Sequence, residues 1–160
     1  MISFDLETTG LSHRRDKIIE VGMIKIGKTW SDLTEFHSLV NPCIKVASTR
    51  LREFGHTQAE LDASPTIQGL KPQILEFMKN QRIIGYNIAF DKRFILHAGS
   101  EFNCFEYVDM LNYIRGLGYD LPNYRLTTVA AFFGIKTPDA HTALGDSRTV
   151  LELMKKVGTP

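Results

Sequence analysis

The sequence has little cysteine: Cys43 and Cys104 stand alone among 160 residues, with neither a CxxC pair nor metal-binding spacing. They are expected to be buried free thiols in a reducing, cytoplasmic setting. No apolar run approaches the ~20 residues that span a bilayer, and residues 1–15 lack the apolar core of a signal peptide, so no membrane partner is expected. Neither charge dominates, with 19 Lys and Arg against 18 Asp and Glu and a net charge of +1. Taken alone, that balance speaks against a dedicated nucleic-acid binder, which is usually more basic. Repeats, low-complexity runs and linkers are also missing.

What is present fits one globular domain over residues 1–160, at 43% apolar and 23% charged composition. An apolar strand ends in Phe4-Asp5-Leu6-Glu7, and after a polar connector Ile18–Ile26 is β-branched and alternates from Val21 onward, as a half-buried strand does. A turn at Gly27-Lys28 leads to a third strand over Glu35–Val40, which completes an antiparallel meander. Short helical pieces fill 46–62. Ser64-Pro65-Thr66 then opens a helix as a cap followed by proline, with Ile67, Leu70, Ile74, Leu75 and Met78 on one face. Strands over 82–86 and 105–109 and helices over 89–98, 110–117, 126–134 and 143–157 complete the chain. The expected architecture is α/β, a mixed sheet of about five strands with helices on both faces.

Alternate side chains of a strand share a face, so Asp5 and Glu7 point the same way while Phe4 and Leu6 enter the interior. Two carboxylates held side by side repel unless a cation lies between them. Gly85-Tyr86-Asn87-Ile88-Ala89-Phe90-Asp91 and His141-Thr142-Ala143-Leu144-Gly145-Asp146 add a third and a fourth carboxylate and a histidine, each at an element boundary. Ligands made of oxygen alone favour Mg²⁺ or Mn²⁺ over zinc. If Asp5, Glu7, Asp91 and Asp146 are neutralised by metal, 19 basic residues face 14 acidic ones, a mildly basic remainder.

In this order and spacing the three stretches resemble the motifs of the DEDDh family of 3'-5' exonucleases. They are most similar to the epsilon-type proofreading subunits of bacterial DNA polymerase III and their stand-alone relatives. The likeness runs from residue 2 to about residue 154. It implies a ribonuclease H-like fold and a two-metal phosphodiester hydrolase acting at the 3' ends of DNA to release nucleoside 5'-monophosphates, as in proofreading or repair. It also implies that Asp5 bridges two Mg²⁺ or Mn²⁺ ions, that Glu7 and Asp146 complete the shell of one, and that Asp91 acts on the other through water. His141 then stands where the family has its general base. Thr8, Thr9 and Gly10 form the turn that holds the terminal nucleotide, Leu11 wedges against the last base or makes a core contact, and Asn87 orients its loop near the substrate or serves only as a turn residue.

One stretch departs from the family pattern. Where many relatives carry His-Gly-Ile-Thr, this chain has Phe54-Gly55-His56-Thr57. Phe54 can stack on a base of any identity or belong to the core. The same chemistry on RNA, and a non-catalytic module binding nucleic acid or a polymerase, are the competing expectations. After the last helix the chain ends at Gly158-Thr159-Pro160, without a long tail for polymerase attachment, which suits either a stand-alone nuclease or an excised domain.

Overall fold

The computed structural model describes residues 1–160. Strands β1 (Ile2–Thr8), β2 (Ile18–Ile26) and β3 (Leu33–Leu39) are followed by helices α1 (Ser48–Phe54), α2 (Gln58–Asp62) and α3 (Ile67–Met78). Then come β4 (Arg82–Gly85), α4 (Ala89–Ala98), a 3-10 turn (Ser100–Cys104), β5 (Glu106–Asp109), α5 (Met110–Gly116), α6 (Leu126–Phe132) and α7 (Ala143–Val157). The strands form one mixed sheet in the order β3-β2-β1-β4-β5. β1 pairs antiparallel with β2 and β2 with β3, whereas β4 runs parallel to β1 and to β5.

The two-residue alternation of β1 divides the molecule. Ile2, Phe4 and Leu6 are at most 4% exposed and join residues of α3 and α4, including Leu70, Ile74, Phe94 and Ile95, in the main core cluster. Ser3, Asp5 and Glu7 take the other face, where α7 lies. There the Ser3 hydroxyl donates to the Ser147 carbonyl at 2.7 Å, and the Ser147 hydroxyl donates to the Gly22 carbonyl at 3.0 Å. A second cluster, with Ile84, Met110, Ile114, Val129, Val150 and Leu153, fills the space between the sheet and helices α5, α6 and α7.

Close approach of α7 to the sheet depends on a missing side chain. A Cβ on Gly22 would overlap the Ala143–Leu144 peptide, so only glycine lets the first turn of α7 rest on β2. That contact delivers Asp146 to the end of β1. A bulge between Glu7 and Thr8 breaks the β1–β2 register at the same point.

Several expectations need correction. Both cysteines are exposed rather than buried, because they lie in turns: Cys43 has a positive φ of 54° and its N–H donates to Asn41 Oδ1, and Cys104 ends the 3-10 turn. Helix α3 is capped not by Ser64 but by Thr66, whose hydroxyl accepts from the Gly69 N–H. The Ser64 hydroxyl instead donates to the Glu60 carbonyl, and Pro65 precedes the cap. Strand β3 begins at Leu33, since pairing with Ile26 carries it two residues closer to the turn than its side-chain pattern indicates.

Substituting Gly22→Ala is expected to destabilise the chain by about 1–3 kcal/mol, the usual cost of overpacking, in urea unfolding followed by circular dichroism. Stability equal to that of the unsubstituted chain would show that α7 does not need this approach.

Candidate active site

Asp5 and Glu7 on β1 and Asp146 in the first turn of α7 each offer an oxygen, and these atoms lie within 4.8 Å of one another. All three residues are partly accessible, at the end of a strand whose opposite face is core. Asp91, in the first turn of α4, is 3% exposed, and its Oδ1 accepts from the Leu6 N–H at 3.1 Å, which anchors it beside Asp5. The four carboxylates expected from the sequence thus divide into three that converge and one that flanks them.

Burial shapes their chemistry. Desolvation pushes the Asp5 carboxyl well above the usual carboxylate range, and repulsion from Asp91, Asp146, Glu7 and Glu20 adds to the rise. Burial raises Glu7 to about 8 against the opposing pull of Arg50. Asp91 is also raised to about 8 by burial, partly offset by its backbone hydrogen bonds. Asp146 is raised by burial as well, against the pull of its hydrogen bond from His141. So many strained carboxylates with so little positive charge among them form a site fitted to hard divalent cations.

His141 stands at the rim. It is exposed and has a positive φ of 67°, and its backbone N–H donates to Asp146 Oδ1 at 3.3 Å. The turn after β1 is held from within: the Thr8 hydroxyl donates to the Gly10 carbonyl at 2.7 Å, and the Thr9 hydroxyl accepts from the Lys17 N–H at 3.0 Å. A Cβ on Gly10 would press on the Asp16 carboxylate, which itself accepts from the Ser12 N–H at 2.8 Å. Thr8 is therefore buried with its hydroxyl committed, and Leu11 projects from the turn at 87% exposure rather than making a core contact. Asn87 has a positive φ of 57°, and its N–H donates to Asp109 Oδ1 at 3.0 Å. Phe54 lies in a small core cluster with Ile19, Val46 and Leu61, under the Arg50 guanidinium, whose centre is 4.1 Å from the ring centroid.

Three contributors do not belong to the sequence motifs. Arg50 brings a cation to the cluster, 3.6 Å from Glu7, while its Nε–H donates to the Thr8 carbonyl at 2.9 Å and Nη1 pairs with Glu53 at 2.9 Å. Glu20 faces Glu7 directly across β1 and β2 and is 2% exposed. Asp109 fixes both the Asn87 turn and the first turn of α5. A lone charge inside Ile18-Ile19-Glu20-Val21 was a usable signal for Glu20, but nothing set Arg50 apart from the other charges of its helix. A cavity of about 580 Å³ lies elsewhere: His13, Asp16, Ile18, Ile67, Phe94 and His97 help line it, and none of the four carboxylates does.

Comparison with known proteins gives a consistent result. The RNase T exonuclease family matches residues 2–154. A DNA polymerase III PolC-type from Caldanaerobacter subterraneus subsp. tengcongensis is 34% identical over 159 residues, covering 98% of this chain and 11% of its own length. A second, from Clostridium perfringens, is 31% identical over 158 residues and covers 96% and 11%. The chain thus spans only a small part of these curated relatives. Among solved structures, E. coli exonuclease I in complex with a dT13 oligonucleotide superposes with a TM-score of 0.81 at 18% identity, covering 99% of this chain and 40% of that one. Apo exonuclease I gives 0.80 at 18%, covering 98% and 41%. The fold is ribonuclease H-like.

The raised carboxyls set a pH dependence. With Glu7 and Asp91 at about 8 in the fold, against 4.5 and 3.8 ordinarily, the folded metal-free chain holds more protons than the unfolded one between those limits. The stability they contribute is full below the ordinary carboxylate range and lost as pH rises through about 8. Thermal melts without metal should fall in Tm across this window, with a shallower fall for Glu7→Gln; a rise in Tm would contradict the burial of these groups.

Proposed function

The chain belongs to the RNase T exonuclease family, and from this we propose that it is a metal-dependent 3'-5' exonuclease acting on single-stranded or frayed DNA ends and releasing nucleoside 5'-monophosphates. The observation that carries the reading is the convergence of Asp5, Glu7 and Asp146 within 4.8 Å, with Asp91 beside them and His141 hydrogen-bonded to one of them. The DNA-bound exonuclease I that shares this fold, and the PolC-type polymerase that is 34% identical to this chain over 11% of its own length, support DNA as the substrate class.

Each residue has a task in this reading. Asp5, Glu7 and Asp146, with Asp91 beside them, would hold two ions of Mg²⁺ or Mn²⁺. Bound ions of this kind activate water and stabilise charge on the leaving oxygen. His141 would take a proton from the attacking water, and its exposed place at the rim would let it pass that proton to solvent. The turn from Thr8 to Gly10 presents backbone to the terminal nucleotide, and Leu11, free of core contacts, is placed to press on the last base. Asn87 holds its loop toward the same end. Phe54 supports Arg50 from below, so the surface offered to substrate there is the guanidinium rather than the ring. The net excess of basic charge left after metal binding attracts the phosphodiester backbone.

A 5'-labelled single-stranded DNA oligonucleotide should shorten stepwise in Mg²⁺, with nucleoside 5'-monophosphates as products. Asp5→Ala should lower the rate by several orders of magnitude, and His141→Ala by about 10²–10⁴-fold. Digestion indifferent to both Asp5→Ala and chelator would remove the metal mechanism, and faster digestion of a matched RNA would replace DNA by RNA as the substrate.

A further inference from the structure

Glu20 is the anomaly of this molecule. It is the third residue of β2, at 2% exposure, and its Oε2 is the one buried side-chain oxygen or nitrogen without a hydrogen-bond partner. Its other oxygen, Oε1, is hydrogen-bonded to His37 Nε2 at 2.8 Å. A buried carboxylate oxygen left unpaired is costly and calls for an occupant, either a water or an ion.

The surroundings narrow the choice. Glu20 is the direct cross-strand partner of Glu7, so its side chain lies on the face that carries Asp5 and Glu7, beneath the start of α7. It lines a small cavity with Thr142, Leu144 and Gly145 at the start of α7, and its charge helps raise the carboxyls of Asp5, Glu7 and Asp146. It is nevertheless not one of the three residues whose ligand atoms share the 4.8 Å cluster. Neighbouring cations are engaged elsewhere: Arg50 with Glu7, Glu53 and the Thr8 carbonyl, and Arg148 with Glu35 at 2.6 Å and Asp139 at 3.8 Å. His56 lines the same small cavity as Glu20 and His37, and no protein group donates to Oε2.

We propose that Glu20 is a positioning residue of the metal site: its free oxygen accepts a hydrogen bond from a water hydrating the ion held by Glu7 and Asp146, and His37 fixes the carboxylate in that orientation. The inference rests on the nuclease reading of the same site. It extends the site by two residues, Glu20 and His37, that reach from the ligands to the surface beyond β3. Groups that orient a metal's surroundings in this way typically contribute about 10- to 100-fold in affinity.

The test is calorimetric titration of Mn²⁺ into the unsubstituted chain, Glu20→Gln and His37→Gln, with metal-free melts of each. Glu20→Gln should bind Mn²⁺ about 10- to 100-fold more weakly without a lower metal-free Tm, since it relieves carboxylate crowding. At saturating Mn²⁺ its KM for single-stranded DNA should match that of the unsubstituted chain. His37→Gln should weaken Mn²⁺ binding in the same direction by less, and it decides the matter should Glu20→Gln fail to fold. Unchanged Mn²⁺ affinity in the folded variant, while the unsubstituted chain binds Mn²⁺ and digests DNA, overturns this inference alone. An unsubstituted chain that takes up no Mn²⁺ overturns the nuclease reading and this inference together.

Discussion

Carboxylate crowding at the end of β1 is the constraint around which this chain is built. Asp5, Glu7, Asp91, Asp146 and Glu20 gather where a strand end meets the first turns of two helices, and Arg50 supplies a cation against them. An arrangement of that kind opposes folding: each group loses hydration on burial and each raises its neighbours' affinity for protons. A chain that kept only stability would not retain it. Divalent cations placed there would turn the same repulsion into binding energy, so a feature that destabilises the metal-free fold would favour the loaded one.

The architecture around the cluster serves its placement. Alternation along β1 sends Phe4 and Leu6 into the main core and Asp5 and Glu7 to the opposite face, so the ligands ride on a strand anchored from behind. Gly22 lets α7 come down on β2, and the paired hydroxyls of Ser3 and Ser147 tie the helix to the sheet, so that Asp146 is carried in by a fixed element. Asp91 is held by the peptide N–H of Leu6. Outside this frame, His141 and Leu11 are exposed.

Much of this was legible in the primary structure, and the reason differs from element to element. The strands and the long helices announce themselves by period, and α4 and α7 run over 89–98 and 143–157 as their side chains indicate. The carboxylates could be picked out because the three short motifs that carry Asp5 and Glu7, Asp91, and Asp146 resemble those of a known family in order and spacing. Arg50 could not, since it reaches Glu7 only through a helix packed beside a distant strand, and a sequence carries no trace of that approach. The Ser64 cap failed because two hydroxyls two residues apart compete for one role, and Thr66 reaches the Gly69 N–H. The cysteines misled because free cysteine is usually buried, whereas here backbone turns place both at the surface. Phe54 kept two readings open until its neighbours were known: Ile19, Val46 and Leu61 surround it and Arg50 covers it.

Anomalous diffraction from a crystal soaked in Mn²⁺ addresses the central claim most directly, because it locates the ion without reference to any activity. The account predicts a strong anomalous peak bounded by the carboxylates of Asp5, Glu7 and Asp146, with a second on the side of Asp91. Peaks only at surface sites, with none among those carboxylates, would contradict it.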